Sequence, residues 1–257
     1  MSSDAPEPTG LIADKGLELL TFGTPNGHKI TIFLEELKEA YGKDYAVSRS
    51  KRVLVSIHIN LEDLENEHEA DSIFLAAILA YLARHYDTEN RFSFKEDPQL
   101  SHQEQWIAWQ HGGLGPMQGQ ANHFFRLAKE RIPYPTQRYV GETERLMGIL
   151  DNQLKDNSYL VGNKYSIADI ANYSWVNLAY FSGVNLAQFP NLEKWWKSIN
   201  GRPAVQKGQS IPGPSPYTND NFQQKLKDDK EFADKNAELE KLRDEAKKQY
   251  DYKYSSP

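Results

Sequence analysis

The chain has 257 residues, with 30 Lys and Arg, 36 Asp and Glu, 7 His and no cysteine, for a formal net charge of −6. Without a thiol there is no cysteine nucleophile, redox Cys-x-x-Cys pair, disulfide framework or zinc finger, so any catalysis rests on oxygen and nitrogen groups. The basic residues are interspersed with acids rather than gathered in a stripe, which argues against a nucleic-acid partner. No run approaches the roughly 18 consecutive apolar residues of a membrane span. The opening residues, MSSDAPEPTGLIAD, have neither the apolar core of a secretory signal nor the Arg-rich character of a transit peptide. A cytoplasmic protein with no membrane partner is expected, and the length suits one or two domains.

Residues 1–15 read as a flexible N-terminus. Leu17 to Phe22 (LELLTF) reads as a strand, ended by the breaker cluster Gly23-Thr24-Pro25-Asn26-Gly27. Ile30, Phe33, Leu34 and Leu37 then recur at i, i+3, i+4 and i+7, predicting a helix that packs on a sheet with Glu35, Glu36 and Lys38 outside. Tyr45 to Val47 is a second short strand. Val53, Val55, Ile57 and Ile59 alternate with Leu54, Ser56 and His58, the period of a half-buried third strand. After the acidic loop from Glu62 to Asp71, a helix is predicted over Ser72 to His85, burying Leu75, Ile78, Leu79 and Leu82. Residues 16–90 therefore form a small α/β domain. From Asp97 onward strand signals vanish, and apolar residues recur at helical spacing through Trp106, Trp109, Leu146, Leu150, Leu154, Trp175, Trp195 and Ile199, predicting an all-helical domain over 97–208.

Proline and glycine fill four of the five positions after Ile211 and set a linker. Lys225 to Lys248 carries 16 charges in 24 residues, eight of each sign, with Phe222, Leu226, Leu239 and Leu242 too few for a heptad seam. Residues 212–257 are expected to be a charged, partly helical or disordered tail, so deleting 213–257 is expected to leave the fold intact.

Tyr165-Ser166-Ile167-Ala168-Asp169-Ile170 is a complete helix start, with Ser166 as cap, Asp169 reaching back to its N–H and Tyr165 stapled on Ile170. Its purpose is structural, so neither Ser166 nor Asp169 is a catalytic candidate. Gly112-Gly113-Leu114-Gly115 follows a helix and sits in no βαβ unit, so it is not a dinucleotide loop and is expected to kink the helix. The histidines form no His-Glu-x-x-His or His-x-His pattern, and no metal site is expected. No Gly-x-Ser-x-Gly elbow or P-loop occurs.

Four fragments in order, TFGTPNGHK, ILAYLARHYD, SIADI and FPNLEKWWKSINGRPAVQK, resemble the glutathione transferase superfamily over Leu17 to Lys207. Within it, Thr24-Pro25-Asn26-Gly27 and the segment from Gly112 to Phe124 are similar to the fungal branch around the yeast nitrogen-catabolite regulator and to bacterial disulfide-bond reductases. The resemblance implies an α/β thioredoxin-like N-terminal domain followed by an all-α helical C-terminal domain, a homodimer, and glutathione as co-substrate held between the domains. It places Asn26 near the glutathione sulfur as the catalytic residue, with Thr24 beside it; at the γ-glutamyl group a gapless alignment of ILAYL puts Phe74 and Leu75, and a shift of three places puts Asp71 and Ser72, which suit a helix N-terminus. A helix N-terminus favours a thiolate, and an amide can donate a hydrogen bond to it without acting as a base. Asn26-Gly27 equally reads as an ordinary turn after Pro25.

Trp109, Met117, Phe124 and Phe125, with Asn122, His123, Arg126 and Arg138, suit the wall of a second-substrate pocket for a small hydrophobic electrophile; core packing is the other reading of the aromatics. The implied function is a glutathione transferase-like enzyme acting by conjugation, peroxide or disulfide reduction, or isomerisation. The alternative is a catalytically degenerate binding or regulatory dimer. It is suggested by the absence of any proline between Pro25 and Pro98, where the superfamily places one before the third strand.

Overall fold

The computed structural model describes residues 16–49, 56–60 and 75–250. In chain order these form β1 (Gly16–Thr21), α1 (Pro25–Tyr41), β2 (Ala46–Arg49), β3 (Ser56–Asn60), α2 (Leu75–Tyr86), α3 (Gln99–Trp109), α4 (Gly115–Ala121), α5 (Pro133–Gln153), α6 (Ile167–Val176), α7 (Pro190–Asn200), α8 (Pro203–Gly208), α9 (Asn219–Asp228) and α10 (Lys230–Tyr250). They divide into two compact units. The first holds the described residues up to Thr88 together with Pro203–Pro214, and the second Glu89–Arg202 together with those from Ser215 on.

In the first unit β1 is central, in the order β2-β1-β3. It runs parallel to β2, with Glu18 opposite Ala46, and antiparallel to β3, with Leu17 opposite Ile59. Parallel neighbours need a crossover, and α1 provides it. The helix stops at Gly42, whose φ of 67° is the left-handed conformation that glycine adopts without penalty and whose N–H donates to the Lys38 carbonyl at 2.9 Å. Leu17, Leu19, Ile30, Phe33, Leu34 and Leu37 are buried as their spacing predicts, as are Ile78, Leu79 and Leu82 of α2. Val53 and Val55 lie outside the described residues.

Glu35 and Glu36 do not face outward; both are buried. The reason lies far along the sequence, because α8 returns to lie on α1 and covers its outer face. Gly208 makes the approach possible, since a Cβ there would stand 2.5 Å from the Ile32 Cα. Glu35 accepts the Tyr45 hydroxyl at 2.6 Å and pairs with Lys207 of α8, so the covered carboxylate keeps polar partners. Residues 203–208 thus pack with the α/β unit rather than with the helical domain assigned to 97–208.

In the second unit, α3 continues through a π-helical stretch at Gln110–Leu114 into α4 and a second one at Asn122–Leu127. The expected disturbance at the glycine run is therefore a π turn. Gly115 and Gly119 give α4 room against Trp175 of α6; a Cβ at Gly115 would meet Gln110 Nε2 at 2.6 Å and Trp175 Cε2 at 3.4 Å. The Gln118 amide reinforces this contact by donating to the Trp175 carbonyl at 2.9 Å.

Every residue of α6 is buried, and the capping box is present, with Ser166 N–H donating to Asp169 Oδ2 at 2.9 Å. Asp169 does more than close the box. Its Oδ1 also accepts the Leu160 N–H and the Trp195 indole N–H, each at 2.9 Å, which ties α6 to α7 and to the loop before it.

The tail is not a solvated appendage. Through residue 250 it forms α9 and α10, which bury Phe222, Leu239 and Ala246. Arg126 anchors both helices: its guanidinium donates to the Phe181 carbonyl at 2.7 Å and to Asn236 Oδ1 of α10 at 3.0 Å, and lies 4.8 Å from the Phe222 ring centre. Asn219 adds a backbone graft, donating its N–H to the Asn177 carbonyl at 2.8 Å and its amide to the Val176 carbonyl at 3.0 Å. The charge density had suggested solvation, but two aromatic-aliphatic anchor points and a set of polar links to backbone suffice to dock the tail. Among the described residues no helix is long and apolar enough to cross a membrane.

Candidate functional site

The turn from β1 into α1 is shaped by adjacent residues with separate tasks. Thr24, extended at φ −122° and ψ 163°, is the N-cap, and its hydroxyl accepts the Gly27 N–H at 3.2 Å. Pro25 occupies the first helical position, where its missing N–H costs nothing. Gly27 is required by crowding, because a Cβ there would stand 2.3 Å from the Phe22 carbonyl oxygen. Asn26 is thereby fixed, half-buried, at the second position of a 17-residue helix. The first turn contains no acidic residue, so the positive end of the helix dipole is not offset from within the helix.

Two neighbours that the sequence pattern had not singled out sharpen the electrostatics. His28 is buried, its Nε2 has no hydrogen-bond partner, and burial lowers its pKa to about 4, so the ring is neutral at physiological pH. Lys29 is fully buried, and desolvation lowers its pKa to about 7. The available signal was their position: both precede Ile30 in a helix whose following apolar stripe faces a sheet. Asp71 and Ser72 lie outside the described residues.

Phe125 and Trp109, both expected to meet a second substrate, border different cavities. Phe125 is buried and, with Phe124, borders a cavity of about 130 Å³ between α10 and the N-terminal end of α5. Trp109 lines a different hollow of about 410 Å³ with Trp106 and Ile149. These sit toward opposite ends of α5, since Thr136 borders the first and Ile149 the second; the intervening residues span roughly 20 Å at 1.5 Å each. Met117 is half-buried and borders neither. Asn122 accepts the Ser182 hydroxyl at 2.6 Å, His123 is exposed with its ring edge-on to Phe124, and Arg138 is exposed. Core packing therefore accounts for Phe125, and Arg126 is a structural clamp. Among the described residues no group of three or more His, Asp or Glu is arranged to hold a metal ion.

The glutathione S-transferase C-terminal domain family matches residues 135–203. The disulfide-bond oxidoreductase YfcG of Escherichia coli is 38% identical over 208 residues, 76% of this chain and 94% of its own length. The chain belongs to the glutathione transferase superfamily. Its fold is accordingly a thioredoxin-like N-terminal domain followed by an all-helical C-terminal domain. Among solved members of the superfamily, a glutathione transferase homologue from Lodderomyces elongisporus, crystallised with two glutathione molecules per subunit, is 35% identical. It matches with a TM-score of 0.70 over 77% of this chain and 99% of that one. A glutathione transferase from Pseudomonas putida, with one glutathione disulfide per subunit, is 30% identical, with a TM-score of 0.68 over 77% of this chain and 93% of that one.

Proposed function

We propose that this superfamily member is a glutathione-dependent enzyme in which Asn26 donates a hydrogen bond to the glutathione thiolate, and that its reaction is disulfide reduction. The observation that carries the reading is the placement of Asn26 in an acid-free first turn, on a backbone pinned by the Thr24 cap and the Gly27 contact. The thiol releases its proton to solvent. The helix N-terminus and the amide then stabilise the anion, while neither can serve as the base.

The absence of cysteine determines the stoichiometry of such a reduction. One glutathione thiolate attacks a sulfur of the disulfide RS–SR, forming the mixed disulfide of glutathione and releasing RS⁻, which takes up a proton. A second glutathione thiolate attacks that mixed disulfide, releasing the other RSH and leaving glutathione disulfide. Both electrons thus come from two glutathiones and none from the protein. The names of YfcG, of the Lodderomyces complex with two glutathiones and of the Pseudomonas complex with glutathione disulfide support this reading. Conjugation to a small hydrophobic electrophile shares the first attack and is the second activity we assign.

Asp71 and Ser72 are proposed to hold the γ-glutamyl group, Thr24 to shape the sulfur site as its cap, and the half-buried Trp109 and Met117 to meet the second substrate. A cytoplasmic homodimer completes the proposal, and light scattering should give twice the 29.5 kDa chain mass. The lack of a proline between Pro25 and Pro98 favours one competing reading, a binding or regulatory dimer without glutathione. Retention on glutathione-agarose with elution by free glutathione, followed by glutathione-dependent reduction of hydroxyethyl disulfide, is the expected result. Flow-through of folded protein in low salt would establish the regulatory reading instead.

A further inference from the structure

The cavity of about 130 Å³ beside α10 is built from the second unit alone. Its buried wall is formed by Phe125 from the second π turn and by Leu239 and Ala246 from α10, with Thr136, whose hydroxyl is already spent on the Phe124 and Ile132 carbonyls. An apolar cavity of about 150 Å³ accommodates a benzene ring, so the volume suits a single ring or a chain of about six carbons. Ile132 and Leu242, respectively 39% and 45% exposed, continue the apolar surface out to the mouth.

Two polar groups at that mouth carry unused donors. Arg131 donates from one nitrogen to the Phe125 carbonyl at 3.1 Å, and among the described residues it has no carboxylate partner. The side-chain amide of Gln249, one turn beyond Ala246 on α10, has no hydrogen-bond partner among them. Arg243 on the same rim differs, because Asp244 and the Gly183 carbonyl already occupy it. Glu245, also on the rim, limits the negative charge that the mouth tolerates.

We propose that this cavity is a binding site for a small monocarboxylate with an apolar body of about six carbons, of the benzoate class. The ring lies against Phe125, Leu239 and Ala246, and the carboxylate takes the unused guanidinium N–H groups of Arg131 and the Gln249 amide. A monoanion satisfies Arg131 without crowding Glu245, whereas a phosphate dianion does not. Because its walls come from both sides of the α5–α10 contact, the ligand also fastens α10 to the domain.

Calorimetric titration of the full chain with benzoate and with benzyl alcohol tests the assignment. Benzoate should bind one per chain and raise the melting temperature, with benzyl alcohol weaker by about five-fold or more, the size of effect expected of a charge-assisted hydrogen bond at a partly hydrated rim. Arg131→Met keeps the apolar stem and should lower benzoate affinity to that of the alcohol without changing the alcohol's own. Ala246→Leu should abolish both; should that core change unfold the protein, the exposed Arg131→Met variant still decides. No binding of either compound, equal affinity for the two, benzoate affinity untouched by Arg131→Met, or displacement of benzoate by glutathione would each overturn the proposal.

Discussion

At the level of single residues, the same chemical group does different work according to what surrounds it. Asn26 has a helix N-terminus around it, and on our reading its amide supplies one charge-assisted hydrogen bond of about 1.5 to 3 kcal/mol to a thiolate. At about 1.4 kcal/mol per pK unit, Asn26→Ala should raise the pKa of bound glutathione by roughly one to two units, read from thiolate absorbance against pH. An unchanged pKa with glutathione still bound would reduce Asn26 to a turn residue. Asp169 is in the opposite position, a fully buried carboxylate serving three separate N–H donors, from Ser166, Leu160 and Trp195. Asp169→Ala strands all three in the core, and at about 1 to 3 kcal/mol for each unsatisfied group the loss in a urea titration should be at least about 3 kcal/mol.

Among the elements, α1 and α10 illustrate how a helix face is assigned by what comes to cover it. The α8 contact rests on Gly208, and the obstacle to a larger residue is the Ile32 backbone, which cannot rotate away. Gly208→Ala should therefore cost about 1 to 3 kcal/mol, whereas Gly112→Ala, with nothing within 4 Å of its added Cβ, should be neutral or gain a few tenths. Equal thermal shifts for the two variants would contradict the close approach of α8. Deleting the chain from Ser215 exposes the partners of Phe222 and Leu239, each worth about 1.5 to 3 kcal/mol of burial. At about 2 to 4 °C per kcal/mol for a chain of this size, the melting temperature should fall by at least about 6 °C. A truncated chain that melts as the full one does would return the tail to the solvated state that its charge suggested.

For the molecule as a whole, buried ionisable groups make stability depend on pH in opposing ways. The pKa of His28 falls from 6.5 unfolded to about 4 folded, so its contribution is complete above pH 6.5 and is lost as pH falls through 4. Lys29 behaves alike at higher pH, its contribution complete above 10.5 and lost as pH falls through about 7. Burial is the largest influence on Asp169 and raises it from 3.8 to about 6 against the donors that hold it down, so its contribution is present below 3.8 and lost as pH rises through 6. Between pH 6 and 4 the histidine and aspartate effects nearly cancel. Replacing His28 with Phe also removes a buried nitrogen that has no partner. The variant should therefore gain on the wild type by up to about 3 kcal/mol as pH falls from 6.5 to 4; parallel urea midpoints across that range would show that His28 is protonated in the folded state.

Local regularities carried much of this architecture in one dimension. The Ile30-Phe33-Leu34-Leu37 stripe, the breaker cluster before it and the Ser166–Asp169 box depend on neighbours within about one helical turn, and each formed where its spacing placed it. The superfamily was legible for the same reason, since its fragments are these local devices in a fixed order. Tertiary structure alone decided which outward faces were covered. Burial of Glu35 and Glu36 required α8, about 170 residues further on, and docking of the charged tail required Arg126 and the Asn177 carbonyl. That Trp109 and Phe125 border separate cavities was likewise invisible, because residues close in sequence along a helix separate by 1.5 Å per step and turn 100° each time. Hydrophobic period reports how a segment meets its nearest partner; a buried acid or a docked charged helix is stabilised by polar partners from distant segments, and no local pattern encodes those.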